Sequence, residues 1–233
     1  MICFVVAMEK EALPLLKDEE VKVESESVLG YAKVYEASVE GKRFLLAATG
    51  IGKCFSAAGI ASLKTKYPEI EAFINIGIAG SLDPFRYPLL SVLIGSEFVQ
   101  HDFDTTAFGD RIGQLPGINI VHLPSSEHYN RLAESAVASM GLKCERGLIA
   151  SGDQFIAEPS QIKRIKDHFN AVAMDMESAA FAQIAYVFRI PFSCVRVISD
   201  TGQKGEYEKY SVSAAEKVCL IAKSIVKNQE EKR

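Results

Sequence analysis

Short continuous apolar runs alternate with segments whose apolar residues recur at helical spacing along the whole chain. Runs of the first kind read as buried strands, segments of the second kind as helices with one face packed inward. On that pattern residues 2–7 form a strand and residues 9–16 a short helix. Strands at 32–38 and 44–48 flank the turn signal Glu40-Gly41-Lys42. An alanine-rich helix covers 53–65 and stops before Pro68. Buried strands follow at 72–78 and 89–99, then a helix at 126–140 closed by Gly141. Strands at 145–150, 172–174 and 192–199 and helices at 160–169, 176–187 and 211–227 complete the series. There is no repeat, low-complexity stretch or linker, so the alternation predicts one α/β domain over 1–233 around a mixed, largely parallel sheet. Ligands of such sheets gather at the carboxyl ends of strands. Met8, Ile78, Glu177 and Asp200 all lie at or just past such ends.

Composition narrows the class. The 233 residues are 48% hydrophobic and 24% charged with a net charge of −4, which supports a sizeable core and argues against nucleic acid or an anionic membrane as partner. Cys3, Cys54, Cys144, Cys194 and Cys219 form no CxxC pair and no metal spacing with histidine, which fits reduced thiols in a cytoplasmic protein. Charge enters too early for a signal peptide, and no apolar run approaches the ~18 residues of a membrane span. The charged stretch 228–233 mixes signs and reads as a frayed, solvated end.

Against that background the acids inside apolar segments stand out. Asp175 and Glu177 interrupt Ala171-Val172-Ala173-Met174-Asp175-Met176-Glu177-Ser178-Ala179-Ala180, and Asp200 ends the apolar strand that carries Arg196. An unpartnered buried carboxylate costs several kcal/mol or shifts its pKa upward, so such acids need a partner or a task. Glu177 and Asp200 with Arg196 make either a buried ion pair or an acid pair split in pKa, since one Arg cannot neutralise both. In Ala7-Met8-Glu9-Lys10-Glu11, Glu9 is accounted for as a helix N-terminal acid, whereas Glu11 lies on another helical face and can enter the strand-end crevice. Thr49-Gly50-Ile51-Gly52-Lys53 lacks the phosphate-loop spacing and reads first as a tight strand-to-helix turn, with a close ligand approach as the alternative. Asn75-Ile76-Gly77-Ile78-Ala79-Gly80-Ser81 reads either as a turn needing glycine φ angles or as a wall for a flat ligand. His101, Asp102 and Asp104 lack a third metal ligand, which favours a solvated loop, while Phe103 and Phe108 in it suggest an apolar interface.

In order and in register, these segments resemble the nucleoside phosphorylase superfamily, and within it the 5′-methylthioadenosine/S-adenosylhomocysteine nucleosidases. The resemblance spans nearly the whole chain. It is carried by Ala-Met-Glu-x-Glu at 7–11, Thr-Gly-Ile-Gly-Lys at 49–53, Gly-x-Ala-Gly at 77–80 and His-Asp-x-Asp with Thr-Ala-Phe-Gly at 101–109. Gly-Gln-Leu-Pro-Gly at 113–117, Ser-Gly-Asp-x-Phe-Ile at 151–156, Met-Glu at 176–177 and Val-Arg-x-Ile-Ser-Asp at 195–200 complete it. It implies a three-layer α/β/α fold and hydrolysis of an N-glycosidic bond with release of adenine, without cofactor or metal. In that pattern Asp200 is the general acid toward adenine N7, Glu11 activates water, and Glu177 holds the ribose hydroxyls with Met176 against the sugar. Phe155 stacks on the base, the backbone of Ile156 reads its edge, and Arg196 positions water and Glu11. Met8, Ile51, Ile78 and Ser199 line the substrate site, and Tyr210 covers the 5′ substituent. The family's homodimer implies that Thr105 and Phe108 of a neighbouring subunit close the 5′ pocket.

Phosphorylases of this superfamily hold phosphate with arginines at positions occupied here by Asn75 and Glu11, so the resemblance favours water over phosphate. Two departures bear on substrate. Ile78 stands where these nucleosidases usually carry a small hydroxyl residue, and Pro88-Leu89-Leu90-Ser91 replaces the usual Val-Gly-Asp. A futalosine-type nucleoside is therefore an alternative substrate, with a phosphorylase or a catalytically silent nucleoside-binding relative as the remaining alternatives.

Overall fold

The computed structural model describes residues 1–229; residues 230–233, and with them most of the charged stretch read as a frayed end, lie outside the described residues. The strands are β1 (Ile2–Val6), β2 (Val21–Leu29), β3 (Ala32–Val39), β4 (Lys42–Ala48), β5 (Ala72–Ser81), β6 (Val92–Gln100), β7 (Leu123–Pro124), β8 (Cys144–Ser151), β9 (Ala173–Asp175) and β10 (Phe192–Asp200). The helices are α1 (Glu9–Leu16), α2 (Lys53–Lys66), α3 (Glu127–Ser139), α4 (Pro159–Phe169), α5 (Ser178–Phe188) and α6 (Glu206–Lys227).

All ten strands join one mixed sheet. Its centre is the parallel run β4–β1–β5–β10, flanked by an antiparallel wing through β3 and β2. On the other side β10 pairs antiparallel with β6, β6 and β8 run parallel, β8 pairs with β9, and β9 returns antiparallel to β5. Strands β5, β10, β6, β8 and β9 thus form a closed ring, which the apolar pattern does not disclose. The period-2 alternation of β1 sorts its side chains: Ile2, Phe4 and Val6 pack with α1, α3 and α6, while Cys3 and Val5 face the core under α2 and α5. Helices therefore cover both faces of the sheet, and β1 is buried throughout. Among the described residues no helix is long and apolar enough to cross a membrane.

Several elements differ from the sequence expectation, among them α6, which starts at Glu206 rather than at 211, and the two-residue β7, which is absent from it. Strand β2 is missing from that expectation because Val-Lys-Val-Glu-Ser-Glu-Ser-Val-Leu presents almost no buried face; it is an edge strand held by ladder bonds to β3. Strand β5 continues past residue 78 to Ser81 because Gly80 and Ser81 pair with Met174 and Ala173 of β9. Residues 89–91 fall outside β6: Leu90 takes a positive φ of 63°, and its N–H donates to the Ile198 carbonyl.

Candidate active site

The strand ends of β1, β5, β9 and β10 meet around a cavity of about 270 Å³. Of the residues expected there, Met8, Glu11, Ile51, Ile78, Phe155, Ile156, Met176, Glu177, Ser199 and Asp200 all line it. Three acids distant in the chain are thereby brought to one chamber, Glu11 from α1, Glu177 at the start of α5 and Asp200 at the end of β10.

Glu11 sits in the first turn of α1, where its carboxylate reaches back to accept the Met8 N–H at 2.9 Å. This is the acidic half of a capping box, turned inward. Burial pushes the Glu11 pKa upward, opposed by the nearby Arg196 charge and by N–H groups of Met8 and Ile78. Glu9, by contrast, accepts from Lys33 and Tyr35 at the rim and does not line the cavity.

Glu177 precedes α5 and accepts the Gly52 N–H at 3.0 Å. Gly52 can offer that N–H because the turn between β4 and α2 places it at φ 90°, a conformation that favours glycine. The turn thus serves the site, rather than only joining strand to helix. Burial first, then the neighbouring Asp175 charge, raises the Glu177 pKa to about 7 despite Arg196 and the Gly52 N–H. Since 4.5 is its ordinary value, folded Glu177 stays protonated where an unfolded chain would ionise. Its contribution to stability is full below pH 4.5 and is lost as pH rises toward 7. Glu177→Gln removes that loss at about 1.4 kcal/mol per pKa unit. The expected result is a gain in urea midpoint over wild type at pH 8 that vanishes at pH 4.5; an equal difference at both would exclude this titration as its source.

Arg196 lies behind the cavity, 1% exposed, and its partner is neither Glu177 nor Asp200. Its Nε and Nη2 donate to Asp175 Oδ2 at 3.0 and 2.7 Å, and Nη2 also donates to Asn75 Oδ1 and Ser178 Oγ. This corrects the pairing read from sequence. Burial alone would raise the Asp175 carboxyl, but Arg196 and the Ser151 and Ser178 hydroxyls hold it below its ordinary value. With Asp175 neutralising Arg196, the other acids are left for other tasks. Gly77 and Gly80 are not in turn conformations: both lie in β5 at ordinary φ. Gly77 is needed for close approach instead, since a Cβ there would stand 2.1 Å from Arg196 Nη1, on a guanidinium fixed by Asp175; one on Gly80 would meet first the movable end of Met174, Cε, at 2.9 Å.

At the end of β10 the register with β5 slips between Ile198 and Asp200, a bulge that re-aims the terminal side chain. Asp200 then accepts from Ser199 Oγ at 2.9 Å and Gly202 N–H at 3.2 Å. Burial raises its pKa, and the acids Glu206 and Glu208 add to the effect, against those two hydrogen bonds.

On the far wall Phe155 makes an edge contact with Tyr207 at 5.7 Å between ring centroids. Tyr207, not Tyr210, lines the cavity; Tyr210 lies one helical turn on in α6, under Lys209. Sequence spacing could not separate them, because residues three apart share a helical face. Ala79 and Gly80, in the segment read either as a turn or as a ligand wall, also line the cavity; Met174 and Gln154 line it too, and no feature of their residue types marks them for it. Thr105 and Phe108 do not reach it within one chain; Phe108 is 88% exposed. In the same loop His101 is buried rather than solvated, Asp102 pairs with Lys53, and the described residues contain no cluster able to hold a metal. Cys3, Cys194 and Cys219 are buried, and all five cysteines are free.

The helix-covered mixed sheet gathers its buried carboxylates at strand ends, the place where α/β sheets bind their ligands. The family model described as phosphorylase superfamily matches residues 1–227, and the chain belongs to that superfamily. A 5′-methylthioadenosine/S-adenosylhomocysteine nucleosidase of Staphylococcus carnosus is 37% identical over 201 residues, 86% of each chain. The chain is accordingly a member of the 5′-methylthioadenosine/S-adenosylhomocysteine nucleosidase family of glycosyl hydrolases. Among solved structures, the nucleosidase of Neisseria meningitidis in complex with methylthio-immucillin-A superposes with a TM-score of 0.90 at 32% identity, covering 98% of this chain and 99% of that one. The futalosine hydrolase of Helicobacter pylori superposes with a TM-score of 0.92 at 27% identity, covering 98% and 97%.

Proposed function

We propose that the protein hydrolyses the N-glycosidic bond of 5′-methylthioadenosine and S-adenosylhomocysteine and releases adenine. The observation that carries this reading is the convergence of Glu11, Glu177 and Asp200 on one cavity, each with its pKa raised by burial. Breaking this bond builds positive charge on the ribose and negative charge on the departing base. A proton donor at the base favours that transition state over the ground state, as does a carboxylate at the sugar in its ionised form. Asp200, protonated more readily than an ordinary aspartate, donates to adenine N7. Glu11 accepts the proton of the attacking water, and Glu177 holds the ribose hydroxyls beside Met176. Phe155 stacks on the base, with the Ile156 backbone at its edge. Arg196 acts from behind, its charge steadying Glu11.

Water is favoured over phosphate on electrostatic grounds. The cavity lining includes no lysine or arginine, Arg196 is bound to Asp175, and Asn75 is spent on Arg196 and the Val5 carbonyl. Glu11 would repel an anion in the place where water is needed. The site would be completed in a homodimer, with Thr105 and Phe108 of the second copy at the 5′ end, which gives the exposed Phe108 ring an apolar place.

The test is free-base release from a panel of 5′-substituted adenosines and inosines with and without phosphate. Adenine release from 5′-methylthioadenosine at a rate indifferent to phosphate is expected; a requirement for phosphate would overturn hydrolysis. Futalosine belongs in the same panel, since the fold matches a futalosine hydrolase as closely and Ile78 puts an apolar side chain in the cavity wall.

A further inference from the structure

Between the sugar side and the base side of the cavity runs a small polar network to which the reaction above gives no part. Asp153 Oδ1 accepts the Lys53 N–H at 2.8 Å, at the first residue of α2. The Asp153 N–H in turn donates to Asp102 Oδ2 at 3.0 Å, and Lys53 Nζ donates to Asp102 Oδ1 at 2.6 Å and to Gln100 Oε1 at 3.2 Å. Three segments distant in sequence are so tied together: the 49–53 turn, the end of β6 with the residues after it, and the loop after β8.

What these segments carry makes the tie matter. The residue before Lys53 is Gly52, whose N–H is the hydrogen bond to Glu177. Two residues beyond Asp153 is Phe155, which lines the cavity. The fit leaves little slack. A Cβ on Gly52 would meet Asp153 Oδ1 at 2.8 Å, and one on Gly152 would meet His101 Nε2 at 2.4 Å and Asp102 Cγ at 3.0 Å. The carboxylate of Asp153 also faces the N-terminus of α2, whose first N–H groups lack helical partners.

We propose that Asp153, locked by Asp102 and Lys53, is a positioning residue that sets the Gly52 N–H against Glu177 and couples the sugar-holding turn to the Phe155 loop. Asp153 itself does not line the cavity. Without it the 49–53 turn is released from the loop after β8, and Glu177 loses the donor that aims it at the ribose. This inference rests on the nucleosidase reading above. Displacements of about 1 Å in such supports cost on the order of 10²-fold in rate.

The test compares wild type, Asp153→Ala and Asp153→Asn on 5′-methylthioadenosine and its 2′-deoxy and 3′-deoxy counterparts. In wild type the ratio of kcat/KM between the full and deoxy nucleosides contains the Glu177–hydroxyl contact. In Asp153→Ala that ratio is expected to narrow about tenfold or more, alongside a drop in kcat/KM on the full nucleoside. Asp153→Asn retains an oxygen that can accept the Lys53 N–H and is expected to restore most of both. A substitution that only lowered the folded fraction would reduce all three substrates alike, leaving the ratio unchanged, and that result would overturn the proposal. So would an Asp153→Asn variant as impaired as Asp153→Ala. If wild type itself releases no base from 5′-methylthioadenosine, the nucleosidase reading fails, and the two failures are distinguishable.

Discussion

Asp200→Asn is expected to lower the turnover of adenine release by about 10²- to 10⁴-fold, the usual worth of a positioned general acid, while nucleoside binding persists. The substitution keeps shape and much of the hydrogen-bonding capacity. An asparagine at this position still offers an oxygen to the Ser199 hydroxyl or the Gly202 N–H, the two donors that Asp200 accepts from. What it cannot do is hand a proton to the leaving base. The raised pKa of Asp200 arises chiefly from burial, with Glu206 and Glu208 on the following helix in support. Activity should therefore fall on the alkaline side as this acid ionises, and Asp200→Asn should abolish that limb of the pH profile. Measuring kcat, nucleoside Kd and the pH profile of both proteins decides the matter. Near-normal turnover in the variant would remove Asp200 from the proton transfer.

The second large effect concerns stability. Asp175→Ala strips the buried Arg196 of its only carboxylate partner within 4 Å among the described residues, leaving a guanidinium that is 1% exposed. Breaking one side of such a pair costs about 3–5 kcal/mol, a large share of the roughly 5–15 kcal/mol that holds a typical domain together. The loss is expected as a fall in urea midpoint, with an accompanying loss of activity because Arg196 no longer has a fixed place behind Glu11. Replacing both partners by apolar residues of similar volume should restore much of the stability and none of the activity, since the desolvation cost disappears with the charges. A double variant no more stable than Asp175→Ala would show that packing, not the orphaned charge, dominates.

Asp175 illustrates how far a linear reading reaches. Its presence in an apolar run marks the region, yet residue types alone couple Arg196 to Glu177 or Asp200 and leave Asp175 a structural acid with no named partner. Side-chain direction decides otherwise. Asp175 ends β9 and points to Arg196 of β10, whereas Glu177 turns away at the start of α5 toward Gly52. A difference of two residues spans a change from strand to helix, and no periodicity predicts where each carboxylate lands. Tyr207 and Tyr210 make the same point, one helical turn apart in α6.

Most of the order of strands and helices and the buried acids can be read from residue types, because burial periodicity and the cost of an unpaired charge are local properties of a chain. Strand β2 escapes such a reading because an exposed edge is stabilised by its neighbour's backbone rather than by its own side chains. The closure of β5, β10, β6, β8 and β9 into a ring, the partner of Arg196 and the reason Gly77 must be a glycine were decided only by the tertiary structure. Each depends on which distant segments are packed within a few ångströms of one another, and that distance is a property of the assembled core, not of any stretch of sequence.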